Sequence, residues 1–229
     1  MSPHPRDGRD AILGRVRRAL GVGAEDAERR VAIQKRLYDH VRNLVPARTK
    51  GSADNLIKQF KEMLESQSAK VSEVGTADEI PELIAKELRD NNLPSRLRMG
   101  DDGFLVEIDW DRAPTLEIER GRSDGHDPVG LSHALVGVSE TGTLILISGA
   151  DNPTTLNFLP ETHIVVVRAE DIVGPYEDVW ERLRETYGER SMPRAVNMIA
   201  GPSRTGDIEQ TIVMGAHGPR SVHVIVVEE

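Results

Sequence analysis

The sequence predicts an α/β fold, with a mostly parallel sheet flanked by helices and an N-terminal helical arm. Three observations predict it. From Ser52 onward, helical and strand periodicities alternate as parallel sheets with helical crossovers require. Apolar runs such as HIVVVR (163–168) read as buried strands. The opening residues instead carry two amphipathic helical patterns, which divides the chain into an arm (1–48) and an α/β domain (49–229).

The first arm helix places Ile12, Val16 and Leu20 at i, i+4 and i+8 and stops at Gly21. The second, from about residue 27 to 42, carries Ile33, Leu37, Val41 and Leu44 and stops before Pro46. Residues 1–50 hold 12 Lys/Arg against 6 Asp/Glu, while the whole chain is at -9. A basic arm on an acidic body suits packing on a partner subunit or on its own domain. A membrane-surface helix is the alternative, against which stands an apolar face without Trp or Phe.

In the domain, residues 53–67 read as a helix with Leu56, Phe60, Met63 and Leu64 inward, and residues 70–74 as a strand. Thr76 caps a helix running to Glu87, residues 96–99 form a short strand, and residues 101–130 an irregular connection with one strand. Residues 132–138 and 143–148 then form a hairpin around the turn Ser139-Glu140-Thr141-Gly142. Residues 152–160 read as a polar loop or short helix, and residues 176–187 as a helix with Val179, Leu183 and Thr186 on one face. The last segment reads strand, Gly/Ser/Arg/Thr loop, short helix, Gly-rich turn, strand.

Composition removes several function classes. The chain has no Cys, which excludes disulfides, a thiol nucleophile and thiolate ligation of zinc or iron–sulfur clusters. Net negative charge and 3% aromatic residues argue against nucleic acid as a partner. No apolar stretch approaches the length of a membrane helix, and MSPHPRDGRD lacks the apolar core of a secretory signal, so a cytoplasmic location is expected. The histidines form neither an H-x-x-x-H pair nor HExxH, so no metal site is expected. Dinucleotide, P-loop and serine-hydrolase signatures are absent from the sequence.

Two stretches carry the candidate chemistry. In the first, Gly201, Ser203, Arg204, Thr205 and Asp207 surround the start of the expected helix, whose free N–H groups and dipole would favour an anion with Arg204 closing over it. Thr205 and Asp207 could equally be plain caps. The following turn adds His217, Gly218 and Arg220. In the second stretch, Glu140 sits between apolar strands beside Thr141, Gly142 and Thr143, small residues that let a ligand approach the backbone. Its carboxylate would be a base or nucleophile, or simply a solvated turn residue.

Taken together, SETGTLIL (139–146), NFLPETHIVVV (157–167) and GPSRTGDIEQTIVMGAHGPRSVHVIVV (201–227) resemble the LUD domain family over roughly residues 50–229. The resemblance implies a fold like that of the glucosamine-phosphate deaminase, ribose-phosphate isomerase and CoA-transferase superfamily. It also implies a role in oxidising L-lactate to pyruvate alongside companion proteins that hold iron–sulfur clusters, this Cys-free chain holding no cofactor of its own. In CoA-transferase relatives a Ser-Glu-Asn-Gly turn carries a nucleophilic Glu, and here Thr141 replaces the Asn. The expected function is thus a cluster-free component of a lactate-oxidising system with an anionic-ligand pocket. The alternatives are a stand-alone transferase or isomerase acting on an acyl-CoA or phosphorylated small molecule, and an interaction protein that docks through its arm. Whether the chain forms an oligomer is left open.

Overall fold

A computed structural model describes residues 5–23, 26–188, 191–208 and 211–229, which fall into two units, residues 1–43 and 44–229. The first contains α1 (Pro5–Ala19) and α2 (Ala27–Asp39). Asp26 caps α2 by accepting from the Arg29 N–H at 3.0 Å, and His40 ends it in the left-handed conformation at φ 43. The helix is therefore shorter than expected, leaving Val41 and Leu44 beyond it.

The second unit builds on a six-stranded, all-parallel sheet. Its strands are β1 (Lys70–Val74), β2 (Arg96–Met99), β3 (Glu117–Arg120), β4 (Val129–His133), β7 (Thr162–Arg168) and β12 (Ser221–Val227), in the order β1-β12-β7-β4-β2-β3. A four-stranded sheet lies beside it, made of β5 (Val136–Val138), β6 (Thr143–Ile147), β8 (Ile172–Val173) and β9 (Val196–Ile199), in the order β8-β5-β6-β9. The expected single strand over residues 132–138 is two: the chain leaves the large sheet after His133, passes Ala134 and Leu135, and enters the small sheet at Val136. Only the second piece makes the hairpin with β6.

Strand alternation explains how the layers stack. On β7 and β12, Ile164, Val166, Ile225 and Val227 face one core, shared with Ile80, Ile84 and Leu88 of α4 (Ile80–Asp90) and with Leu105 of α5 (Gly103–Glu107). Val165, Val167, Val222, Val224 and Val226 face the other, where Phe60 and Leu64 of α3 (Ala53–Ser66) and Leu144 and Leu146 of β6 meet them. Ile145 and Ile147, pointing the opposite way from β6, pack on Val179 and Leu183 of α7 (Tyr176–Tyr187). Thr186, expected on that inner face, is exposed. α4 follows a capping box of Thr76 and Glu79, and α6 (Thr155–Phe158) is one turn. The connection 101–130 holds α5 as well as β3.

Two histidines lie inside the sheet. His163 donates from Nε2 to Ser132 Oγ at 3.0 Å, and Ser132 donates to Asn157 Oδ1 at 2.9 Å. Complete burial lowers His163 from 6.5 to about 3. Burial likewise lowers His223, hydrogen-bonded to Ser72, to about 4. The unfolded chain takes up these protons near pH 6.5 and the native chain does not. Their contribution to stability is therefore complete above 6.5 and declines as pH falls, each by about 1.4 kcal/mol per unit. Urea unfolding between pH 6.5 and 5 should show this loss, and His163→Leu should roughly halve the slope. An unchanged slope in the variant would show that His163 does not titrate on unfolding.

Candidate functional site

The segment expected to start a helix after Ser203 is a β-hairpin. β10 (Arg204–Ile208) pairs antiparallel with β11 (Thr211–Met214), matching Arg204 with Met214 and Thr205 with Val213. The β-branched run Thr211, Ile212, Val213 and the interior Gly206 favour extended backbone over helix. With no helix at this place, the dipole argument for an anion here falls. Arg204 is committed elsewhere: its Nη2 donates to the Gln67 backbone oxygen at 2.9 Å and to Gln67 Oε1 at 2.6 Å. Gln67 is the C-cap of α3, so the guanidinium sits at the negative end of that helix. The side chain of Asp207 lies outside the described part, as do Glu209 and Gln210.

Ser203 does gather the neighbouring candidates. Its N–H donates to Pro219 O at 2.8 Å, its carbonyl accepts from the Gly215 N–H at 2.8 Å, and its Oγ accepts from the His217 N–H at 3.3 Å. The 215–219 turn is thereby pinned against residue 203. Gly201, Ser203, His217 and Gly218 line one cavity of about 230 Å³, together with Asn157 and the exposed Phe158. Asn157 is fully buried, with its Oδ1 fixed by Ser132 and its Nδ2 without a partner. Such an orphaned amide is a donor available to a ligand oxygen. The sequence marks it only as part of a polar loop. Arg220 is exposed, its N–H donating to Glu161 O at 2.8 Å.

The Glu140 turn lies at the same end of the small sheet, since the β6–β9 pairing runs out at Leu144 and Ile199. Its contacts are internal. Glu140 pairs with Arg48 at 3.7 Å, and Thr141, Thr143 and Tyr176 form a ring of hydroxyls at 2.7–2.8 Å. Gly142 adopts φ 64, and a Cβ there would stand 2.6 Å from the Leu64 nitrogen of α3. Its smallness serves the close approach of α3. Glu140 does not line the Gly201–Gly218 cavity.

A larger cavity, about 530 Å³, opens where β2, β4 and β7 end, and the candidate residues named from sequence do not line it. Its wall includes Asp102, His133, Asn152, Arg168, Asp171 and Arg182. His133 Nδ1 lies 3.1 Å from Asp102 Oδ1, and Phe104 stacks on the imidazole with centroids 4.7 Å apart. Burial would raise the Asp102 carboxyl, but the hydrogen bond and charge of His133, with the Leu105 and Phe104 N–H groups, hold it below the usual carboxylate range. An ionised Asp102 only accepts, so Nδ1 carries a proton toward it, and Nε2 is buried and without a partner. Arg182 pairs with Asp171 at 3.1 Å, and Arg168 with Glu170. These residues are distant in sequence, and joining 132–138 into one strand hid that His133 ends one. Among the described residues, no group of three or more His, Asp or Glu is arranged to hold a metal, and no helix is long and apolar enough to cross a membrane.

Two substitutions separate packing from chemistry. Gly142→Ala should cost about 1–3 kcal/mol through strain against α3, read as a lowered urea midpoint; a neutral effect would show that the turn can shift. Arg204→Ala should cost about 1 kcal/mol by uncapping α3, and a Gln67→Ala background should shrink that cost. Full additivity of the pair would refute the coupling.

Comparison with known proteins accords with this architecture. The LUD domain model matches residues 57–227. Lactate utilization protein C of Halalkalibacterium halodurans is 28% identical over 96% of this chain and 98% of its own length. Protein YkgG of Escherichia coli is 36% identical over 44% of each chain, so that alignment spans less than half of the relative. Among solved structures, a DUF162 family protein from Deinococcus radiodurans superposes with a TM-score of 0.53 and 25% identity, over 78% of this chain and 99% of that one. With its family model spanning most of the α/β body, this chain belongs to the LUD domain family.

Proposed function

We propose that this chain is the cluster-free component of a cytoplasmic L-lactate utilization system, which oxidises L-lactate to pyruvate with partner proteins that carry the iron–sulfur clusters. The observation that carries this reading is the end-to-end likeness to a lactate utilization protein C, which takes in the arm as well as the domain. A chain without Cys needs partners to supply clusters.

Within that system the chain holds a small anionic ligand in the cavity lined by Gly201, Ser203, His217, Gly218 and Asn157. Support comes from the Asn157 amide, a buried donor with no protein partner, and from the Ser203 hydroxyl and exposed imidazole of His217 on the same cavity. Donors without acceptors select a ligand that brings oxygens. Arg204, Thr205 and Arg220 adjoin the lining residues in sequence and belong to the surrounding frame, and Glu140, engaged by Arg48, stands at the same end of the small sheet without lining the cavity.

Deleting the gene in its host should abolish growth on L-lactate as sole carbon source, and the intact gene should restore it. Ser203→Ala combined with His217→Ala should fail to restore growth while keeping the thermal midpoint within a few degrees. Normal growth of the deletion strain would refute the role; full rescue by the double variant would refute the pocket. Affinity-tagged protein should co-purify proteins with the visible absorbance of iron–sulfur clusters.

A further inference from the structure

His163 is fully buried and takes no part in the ligand contacts above, yet its register partner on β12, Val222, lines the Ser203–His217 cavity. On its other side His163 is in register with Gly130 of β4, and Ser132, two residues further along that strand, shares the same sheet face. Gly130 is what admits α6: a Cβ there would stand 2.7 Å from Leu156 O and 2.9 Å from Pro160 Cγ. With a hydrogen in that place α6 seats directly on β4, which brings Asn157 to Ser132.

A hydroxyl and a primary amide can each be turned end for end, so the chain His163–Ser132–Asn157 has two self-consistent directions. In one, His163 Nε2–H donates to Ser132 Oγ at 3.0 Å and Ser132 donates to Asn157 Oδ1 at 2.9 Å. His163 Nδ1 then keeps a lone pair, and the Asn157 NH2 is left for the cavity. In the other, Asn157 donates to Ser132, Ser132 donates to Nε2, and the ring proton sits on Nδ1, which leaves a carbonyl oxygen for the cavity. Nδ1 decides between them, because it is buried and has no partner among the described residues. A bare lone pair is tolerated there better than an N–H, since a buried donor without an acceptor is the rarer defect in folded chains. Burial also keeps the ring from carrying both protons, lowering it to about 3.

We infer that His163 sets the polarity of the cavity: through Ser132 it holds Asn157 Oδ1 inward, so the site meets its ligand with an amide NH2 and selects an oxygen acceptor. With the amide reversed, a ligand carboxylate would face a carbonyl oxygen, two acceptors with no proton between them. His163 and Ser132 are thus positioning residues, and Asn157 is the group that reads the ligand. That a ligand occupies this cavity rests on the reading proposed above; the direction of the buried chain does not.

The first test needs no ligand. In the isotope-labelled full chain at neutral pH, the imidazole nitrogen shifts of His163 should report a protonated Nε2 and an unprotonated Nδ1. A protonated Nδ1 would overturn the inference. The second test is calorimetric titration with L-lactate as the probe. Ser132→Ala, which lets the amide turn, should weaken binding about five- to tenfold, the worth of one hydrogen bond. Asn157→Leu should weaken it at least as much, and Ser132→Ala should cost nothing further in that background. A loss from Ser132→Ala that is as large without Asn157 as with it would show a general packing defect and overturn the relay. Should Ser132→Ala not fold, the tautomer of the wild-type chain still decides. The expected tautomer with no lactate binding would uphold the direction of the buried chain and refute the pocket reading.

Discussion

The rest of the body depends on the alternating burial of β7 and β12 at the middle of the large sheet. These strands are apolar on both faces and water reaches neither, so every second residue must be matched by a separate layer. One layer is α4 and α5; the other is α3 with the small sheet. Since β6 is buried on both of its faces too, α7 is needed to close the stack. A core Leu at β6, such as Leu146, thus fastens the two sheets together, and truncating it to Ala would open a cavity worth about 2–5 kcal/mol.

Much of this was legible in the chain because local patterns and tertiary burial agree. Lys70–Val74, Arg96–Met99 and Tyr176–Tyr187 occur where periodicity and caps place them. Disagreement arose where one local pattern serves two environments. The run from Ala134 to Val138 continues the buried β4 with apolar residues and without a Pro, Asn or Asp to mark a break, so nothing in its hydropathy shows the change of sheet at Ala134 and Leu135. The Gly-Pro-Ser-Arg-Thr-Gly-Asp stretch has the residue types of a helix start, but its caps lead into Thr-Ile-Val, and a paired hairpin satisfies the same backbone groups.

The sites divide in the same way. Residues near one another in sequence, such as Ser203, His217 and Gly218, were readable as a group because a single turn brings them together. Asp102 and His133, 31 residues apart, meet only through strand order, which hydropathy does not encode. Arg204 shows the converse: a cation in a suggestive motif can be consumed by an ordinary structural task, here closing α3.

The position of β12 between β1 and β7 has a consequence for synthesis. Ser72 and His223, which share a hydrogen bond, are 151 residues apart, and the β1 edge pairs with nothing but β12 among the described strands. As the chain emerges from the ribosome, β1, β2, β4 and β7 are complete long before the strand that joins β1 to them. During that interval β7 presents an open apolar edge, the kind of surface that chaperones hold and that neighbouring chains can capture. Closure of the sheet then comes in one late, long-range step, so folding yield rather than final stability is where this topology is most vulnerable.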